Sequence, residues 1–228
     1  MKGARSGTLD LSEDRAAALR LTSVSHETVE RLDGFVGLLL EWQDKINLVA
    51  PSTLPHLWTR HIADSLQLLP LAPNARRWVD FGSGGGFPAI PIACALSEHN
   101  NTAMHLIESN GKKAAFLREA VRRLDLPARV HATRVEDYED YEEYEERGVN
   151  SVQVVTARAL APLKVLCDHA FPFIQRGAIG LFLKGQDVGV ELTEAAKYWN
   201  IEAQIVQSQT SRGGGIIIVR SLERRIRS

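Results

Sequence analysis

From Arg77 onward the chain alternates short apolar runs with amphipathic stretches of helical period, and this alternation limits what it can fold into. Strands are expected at Arg77–Phe81, Ala103–Ile107, Ala128–Thr133, Ser151–Thr156 and Ile179–Leu183. Helices are expected between them: from the glycine-rich turn to Leu96, over Gly111–Leu124, and over Pro162–His169. The second of these puts Ala114, Leu117, Ala120, Val121 and Leu124 on its inner side, with Phe116 beside them. A further helix is expected over Glu191–Trp199, followed by two strands, Glu202–Gln207 and Ile216–Val219, around the turn Ser211-Arg212-Gly213-Gly214. Strands that alternate with helices build a parallel, doubly wound α/β sheet. The last two strands have no helix between them, so a hairpin with one antiparallel strand is the simplest closure of a seven-stranded sheet.

The residues before this pattern read as helices. Leu9, Ala16 and Leu19 suit a short first helix. Ser25 is an N-cap for a second one over Thr28–Leu48, whose Val29, Leu32, Val36, Leu39 and Leu40 recur at helical spacing. A turn bracketed by Pro51 and Pro55 leads to a third helix over Leu57–Leu69, and Pro70 and Pro73 mark a boundary. The expected division is a helical extension over 1–73 and an α/β domain over 74–228.

Composition excludes several classes. With 27 Lys and Arg against 28 Asp and Glu, the net charge of −1 is no polycation, so any nucleic-acid contact must come from local patches. The only cysteines, Cys94 and Cys167, lie far apart in apolar runs and read as small buried hydrophobes; a disulfide framework and a metal site are not expected. No apolar run suits a signal peptide or a membrane span, which points to a cytoplasmic protein. Residues 136–147 carry eight acids in twelve and read as a solvated face turned away from any nucleic acid.

The chemistry is concentrated in Val79-Asp80-Phe81-Gly82-Ser83-Gly84-Gly85-Gly86-Phe87-Pro88. A strand ends in an acid, a turn with four glycines follows, and a helix begins. Glycine tolerates a left-handed backbone and lets a ligand approach it, and nucleotide-like cofactors bind at such a first turn of an α/β sheet. Phe87 occupies the third glycine position of the dinucleotide fingerprint. Asp80, Gly82, Gly84 and Gly86 instead spell D-x-G-x-G-x-G, which suits S-adenosylmethionine, with Ser83 inside the same loop. Glu108 ends the second strand 26 residues after Gly82, where a carboxylate accepts bonds from ribose hydroxyls. Val135 and Glu136, at the end of the third strand, would flank an adenine ring. Arg158, after the fourth, faces the reactive end.

Basic residues cluster locally. Lys112, Lys113, Arg118, Arg122, Arg123, Arg129 and Arg134 face only Glu119 and Asp125, a local balance of +5. Such a surface suits phosphates. No hydrolase elbow, P-loop or HExxH occurs.

The segments RHIADS (60–65), DFGSGGGFPAIPIA, IESNGKKAAFL, VVTARALAPL and LFLKG together resemble the ribosomal small-subunit methyltransferase G family, over roughly residues 30–220. The resemblance implies a Rossmann-like class I methyltransferase fold. It implies transfer of methyl from S-adenosylmethionine to N7 of guanosine 527, in the 530 loop of 16S ribosomal RNA within the 30S subunit. It places cofactor contacts on Gly82, Phe87, Val135, Glu136 and Arg158, to which the fold argument adds Asp80, Ser83, Gly84, Gly86 and Glu108. Ala89 and Ile46 depart from the family pattern, which favours glycine and tyrosine there. Guanine N7 has a free lone pair, so alignment rather than a general base would drive an in-line displacement. Arg158 is the expected catalytic group, orienting the cofactor carboxylate or guanine O6. Lys112, Lys113, Arg122, Arg123 and Lys184 are the expected RNA contacts, to a base that must be unstacked. His61 and Ser65 share one helical face and Arg60 and Asp64 the next, where an i, i+4 Arg–Asp pair is ordinary helix support. A monomer is expected. Alternatives are a methyltransferase of another RNA or a small molecule, an NAD-dependent oxidoreductase, and a non-catalytic ribosome-assembly factor.

Overall fold

The computed structural model describes residues 9–138 and 152–225. Residues 139–147 of the acidic run, and Ser151, lie outside the described residues. Seven strands form one sheet: β1 (Arg77–Phe81), β2 (Ala103–Ile107), β3 (Ala128–His131), β4 (Val154–Arg158), β5 (Ile179–Lys184), β6 (Trp199–Gln207) and β7 (Gly215–Arg224). Their order is β3-β2-β1-β4-β5-β7-β6. The first five run parallel, and β7 lies antiparallel between β5 and β6. This is the doubly wound architecture with a closing hairpin that the alternation of elements predicted. The winding reverses between β1 and β4, which opens a crevice at the carboxyl ends of those two strands.

Among the described residues the helices are α1 (Ser12–Leu21), α2 (His26–Gln43), α3 (Asp64–Leu66), α4 (Ala89–Leu96), α5 (Gly111–Arg123), α6 (Leu163–Ile174) and α7 (Val188–Ala195). Side chains alternate across the pleat, so β1 serves two cores. Trp78 joins Leu32, Phe35, Trp58, Ile92 and Phe116 on one face. Val79 and Phe81 join Cys167, Phe173, Phe182 and Trp199 on the other. The N-terminal helices thus share the first core with α4 and α5.

Several elements differ from the sequence-based expectation; α6 and β7 run on to Ile174 and Arg224 rather than stopping at His169 and Val219. Ser25 does cap α2, accepting from the Thr28 N–H. That helix stops at Gln43 rather than Leu48, because the Gln43 amide takes the N–H groups of Leu48 and Val49 and donates to the Val49 carbonyl, folding the chain back. The expected third helix is broken into a 3₁₀ turn, Pro51–His56, a π-helical turn, Trp58–Ala63, and the short α3. β4 runs on to Arg158 because it pairs with both β1 and β5. The helix expected over Glu191–Trp199 ends at Ala195; Trp199 opens β6 opposite Arg224 and is buried against Phe171, with ring centroids 5.0 Å apart.

Candidate active site

The site begins with β-sheet register. Asp80 and Thr156 are paired neighbours on β1 and β4. The Thr156 hydroxyl therefore donates to Asp80 Oδ1 at 2.7 Å. Asp80 is wholly buried and its Oδ2 has no hydrogen-bond partner among the described residues. Burial, partly offset by the Thr156 and Ser83 hydrogen bonds, pushes its carboxyl up to about 7. An unpaired buried carboxylate oxygen at a strand end is costly unless something completes it.

Immediately after β1 the chain enters the glycine turn. Gly82, Gly84 and Gly86 have φ of 68°, 54° and 93°, a left-handed backbone that side chains disfavour. Gly85 is needed for a different reason: a Cβ there would stand 2.6 Å from the Leu48 carbonyl oxygen, so the turn is seated on the segment after α2. The Ser83 N–H bonds the Ile107 carbonyl and its hydroxyl bonds the Asp80 carbonyl. Glu108 holds the turn from β2, its two carboxylate oxygens taking the N–H groups of Gly84 at 2.8 Å and Asn110 at 2.7 Å. The expected ribose carboxylate thus shapes the loop itself, keeping lone pairs in hand. Val135 and Glu136 lie in a 3₁₀ turn after β3, Val135 packed on the second core and Glu136 exposed, 3.7 Å from His169. All these residues meet at the carboxyl edge of β1, β2 and β3.

Arg158, at the end of β4, bridges this edge to the helical segment. It donates to the Arg60 carbonyl at 3.2 Å, to Asp64 Oδ2 at 3.3 Å and to His61 Nδ1. Its guanidinium lies 5.3 Å from the Phe87 ring centre, and His61 stacks on the same ring at 4.8 Å. The expected Arg60–Asp64 pair does not form. The π-helical turn shifts the register, and Asp64 binds Arg158, Gln67 and Thr210 instead. Burial, then the positive charges of Arg158 and Arg60, hold the His61 imidazole down to about 3. It is therefore neutral, and since Nδ1 accepts from Arg158, Nε2 carries the proton and donates to the Thr53 hydroxyl, which donates to the Ala50 carbonyl.

On the far side of Arg158 opens a cleft of about 740 Å³, lined by Arg60, Asp64, Leu160, Lys184, Asp187 and Thr210 among others. Three of the expected RNA contacts are held in ion pairs rather than free at this edge. Lys184 is nearly buried, with its ammonium 2.7 Å from both Glu191 and the Ala161 carbonyl, so it lines the cleft as half of an ion pair. Arg122 and Arg123 are bound to Glu119 at the end of α5, about 15 Å along the helix from Lys112 and Lys113 and away from the site edge. Lys112 and Lys113 do lie at that edge, in the first turn of α5, capped by Asn110. Sequence reasoning marked His61, Asp64 and Arg60 by motif without seeing their partner, and missed Thr156 and Thr210; only the fold brings those together.

The family model described as rRNA small subunit methyltransferase G matches residues 28–219. Curated relatives carry the name ribosomal RNA small subunit methyltransferase G. One from a Bradyrhizobium species is 56% identical over 214 residues, 94% of each chain. One from Nitrobacter hamburgensis is 56% identical over 94% of this chain and 80% of its own. One from Rhodopseudomonas palustris is 54% identical over 92% of this chain and 88% of its own. Among solved structures, an O-methyltransferase from Bacillus cereus in complex with SAH overlays with a TM-score of 0.56 at 15% identity, covering 82% of this chain and 90% of that one. The O-methyltransferase TomG from Streptomyces achromogenes, in complex with SAM, overlays at 0.57 and 14% identity, covering 91% and 95%. These two likenesses establish the methyltransferase fold.

Proposed function

The chain belongs to the ribosomal RNA small subunit methyltransferase G family, and on that premise we propose that it methylates N7 of guanosine 527 in 16S ribosomal RNA, in the cytoplasm, with S-adenosylmethionine as donor. The observation that carries this reading is the position of Arg158, with the glycine turn on one side and the cleft on the other.

The residues fit that donor. Its amino-acid end carries an ammonium and a carboxylate. The orphaned Asp80 Oδ2 suits the first and the Arg158 guanidinium the second. Gly82, Gly84 and Gly86 leave the backbone open to close approach, while Val135 and Glu136 border the adenine end. When bound, the donor supplies a methyl group on a sulfonium that departs as a neutral sulfide.

The protein's own part is alignment. The cleft receives the unstacked guanine, whose N7 has a lone pair in the ring plane and needs no base to free it. Arg158 is fixed by three acceptors, so it can orient the carboxylate or guanine O6 without swinging onto N7. Lys112, Lys113 and Arg60 supply positive charge around the entrance for the RNA backbone.

The test is to incubate the protein with labelled S-adenosylmethionine and 30S subunits from cells that lack this modification, then map the label. One N7-methylguanosine in the 530 loop is expected. Tight donor binding with no label on 30S refutes the substrate.

A further inference from the structure

The turn that follows Arg158 is strained and heavily anchored, and its product is an exposed leucine. Ala159 has φ of 53°, a left-handed conformation that a Cβ disfavours. Neither side chain of the Ala159-Leu160 pair is buried, and Leu160 is 39% exposed. An exposed leucine is by itself unremarkable. This one sits where two features meet. It lines the cleft, and its Cδ1 rests on Gly82, where a Cβ would come within 2.6 Å.

The pair is pinned from both sides. Upstream, Arg158 is tied to His61, Asp64 and the Arg60 carbonyl. Downstream, Lys184 binds the Ala161 carbonyl at 2.7 Å, and its partner Glu191 binds the Leu163 N–H at 2.7 Å. Four side chains from three other segments thus fix the two ends of a turn that local preference opposes. Strain of this kind persists where the surroundings over-determine it, and it gathers at functional sites. A glycine at 159 would have removed the strain, but it would also have left Leu160 free to move.

The cleft wall offers polar groups from Arg60, Asp64, Asp187 and Thr210. A nucleobase has polar edges and apolar faces, so its edges suit that wall and a face needs an apolar partner. We propose that Leu160 is that partner: a rigidly presented apolar side chain that lies against the face of the unstacked target purine, at the border between the glycine turn and the cleft. It would hold the base in plane for attack and exclude water between base and donor. The inference rests on the reading of this site as a ribosomal RNA methyltransferase.

The experiment compares Leu160→Ala, Leu160→Met and Ala159→Gly in the full chain. It measures S-adenosylmethionine binding by calorimetry, methyl transfer to unmodified 30S subunits, and melting. Leu160→Ala is expected to lower kcat/KM for 30S about tenfold, as a half-buried leucine contact would, with donor affinity unchanged. Leu160→Met keeps apolar surface and retains most activity. Ala159→Gly relieves the strain, so it melts higher yet turns over more slowly, a combination that a purely structural role does not give. Wild-type kinetics in Leu160→Ala overturn the proposal. A fall in donor affinity that matches the fall in activity also overturns it, by making Leu160 a support for the glycine turn. Absence of transfer by the unmutated chain refutes the underlying reading instead.

Discussion

Replacing His61 by phenylalanine isolates the hydrogen bond that aims Arg158. The phenyl ring keeps the 4.8 Å stack on Phe87. It removes the Nδ1 acceptor of Arg158 and the Nε2 donor to Thr53. A hydrogen bond from a charged donor contributes about 1.5–3 kcal/mol. Arg158 keeps Asp64 and the Arg60 carbonyl, so the lower part of that range applies: about 1.5–2 kcal/mol, or roughly ten- to thirtyfold in affinity. The loss should appear in the dissociation constant for S-adenosylmethionine, read by calorimetry, and in kcat for 30S methylation. Asparagine at 61 can place an oxygen near the Nδ1 position and should recover most of it. Because burial holds the wild-type imidazole down to about 3, no inflection in the activity profile between about pH 5 and 8 should belong to this residue. Wild-type affinity and turnover in His61→Phe would falsify the clamp, as would equal loss in the asparagine variant.

Two buried groups should oppose each other in the acid limb of stability. His61 titrates near 3 in the fold against 6.5 unfolded, so the unfolded chain binds more protons in that window and stability falls as pH drops through it. Asp80 titrates near 7 in the fold against 3.8 unfolded, so its contribution rises as pH falls from about 7 and is complete below 3.8. Urea midpoints measured from pH 7 to 4 should therefore decline more steeply in Asp80→Asn, and less steeply in His61→Phe, than in the unmutated chain. Gly85→Ala should cost donor binding more than folding, since its Cβ would press on the Leu48 backbone and unseat the turn; calorimetry and melting separate the two. Lys184→Met should cost about 2 kcal/mol in urea unfolding, below the 3–5 typical of a fully buried pair because Glu191 is partly solvated. The salt dependence of its 30S binding should stay as in the unmutated chain. Neutralising Lys112 and Lys113 should flatten the slope of log affinity against log salt by about one to two, while neutralising Arg122 and Arg123 should leave it unchanged.

What could be read in advance was what local pattern encodes. The alternation of apolar runs with helical faces is a short-range signal, and β1, β2 and α5 stand within a residue or so of where it put them. The glycine turn was legible because positive φ is a property of single residues, as Gly82, Gly84 and Gly86 bear out. Trp199 was misassigned because an apolar residue at the end of a helical pattern fits either state; the register with Arg224 decides it, and that lies 25 positions away. Asp64 shows the sharper limit. Its i−4 neighbour Arg60 made an ordinary helix pair the economical reading, yet the π-helical turn moves it to Arg158, 94 residues on. The fourth glycine has the same origin: the D-x-G-x-G-x-G spacing explains three, and Gly85 becomes necessary only when Leu48 is laid against it. In the last two cases the residue sits where the helical segment meets the sheet. Removing the segment before β1 should therefore abolish donor binding and not merely substrate affinity, because it holds His61, Asp64 and the seat of the glycine turn.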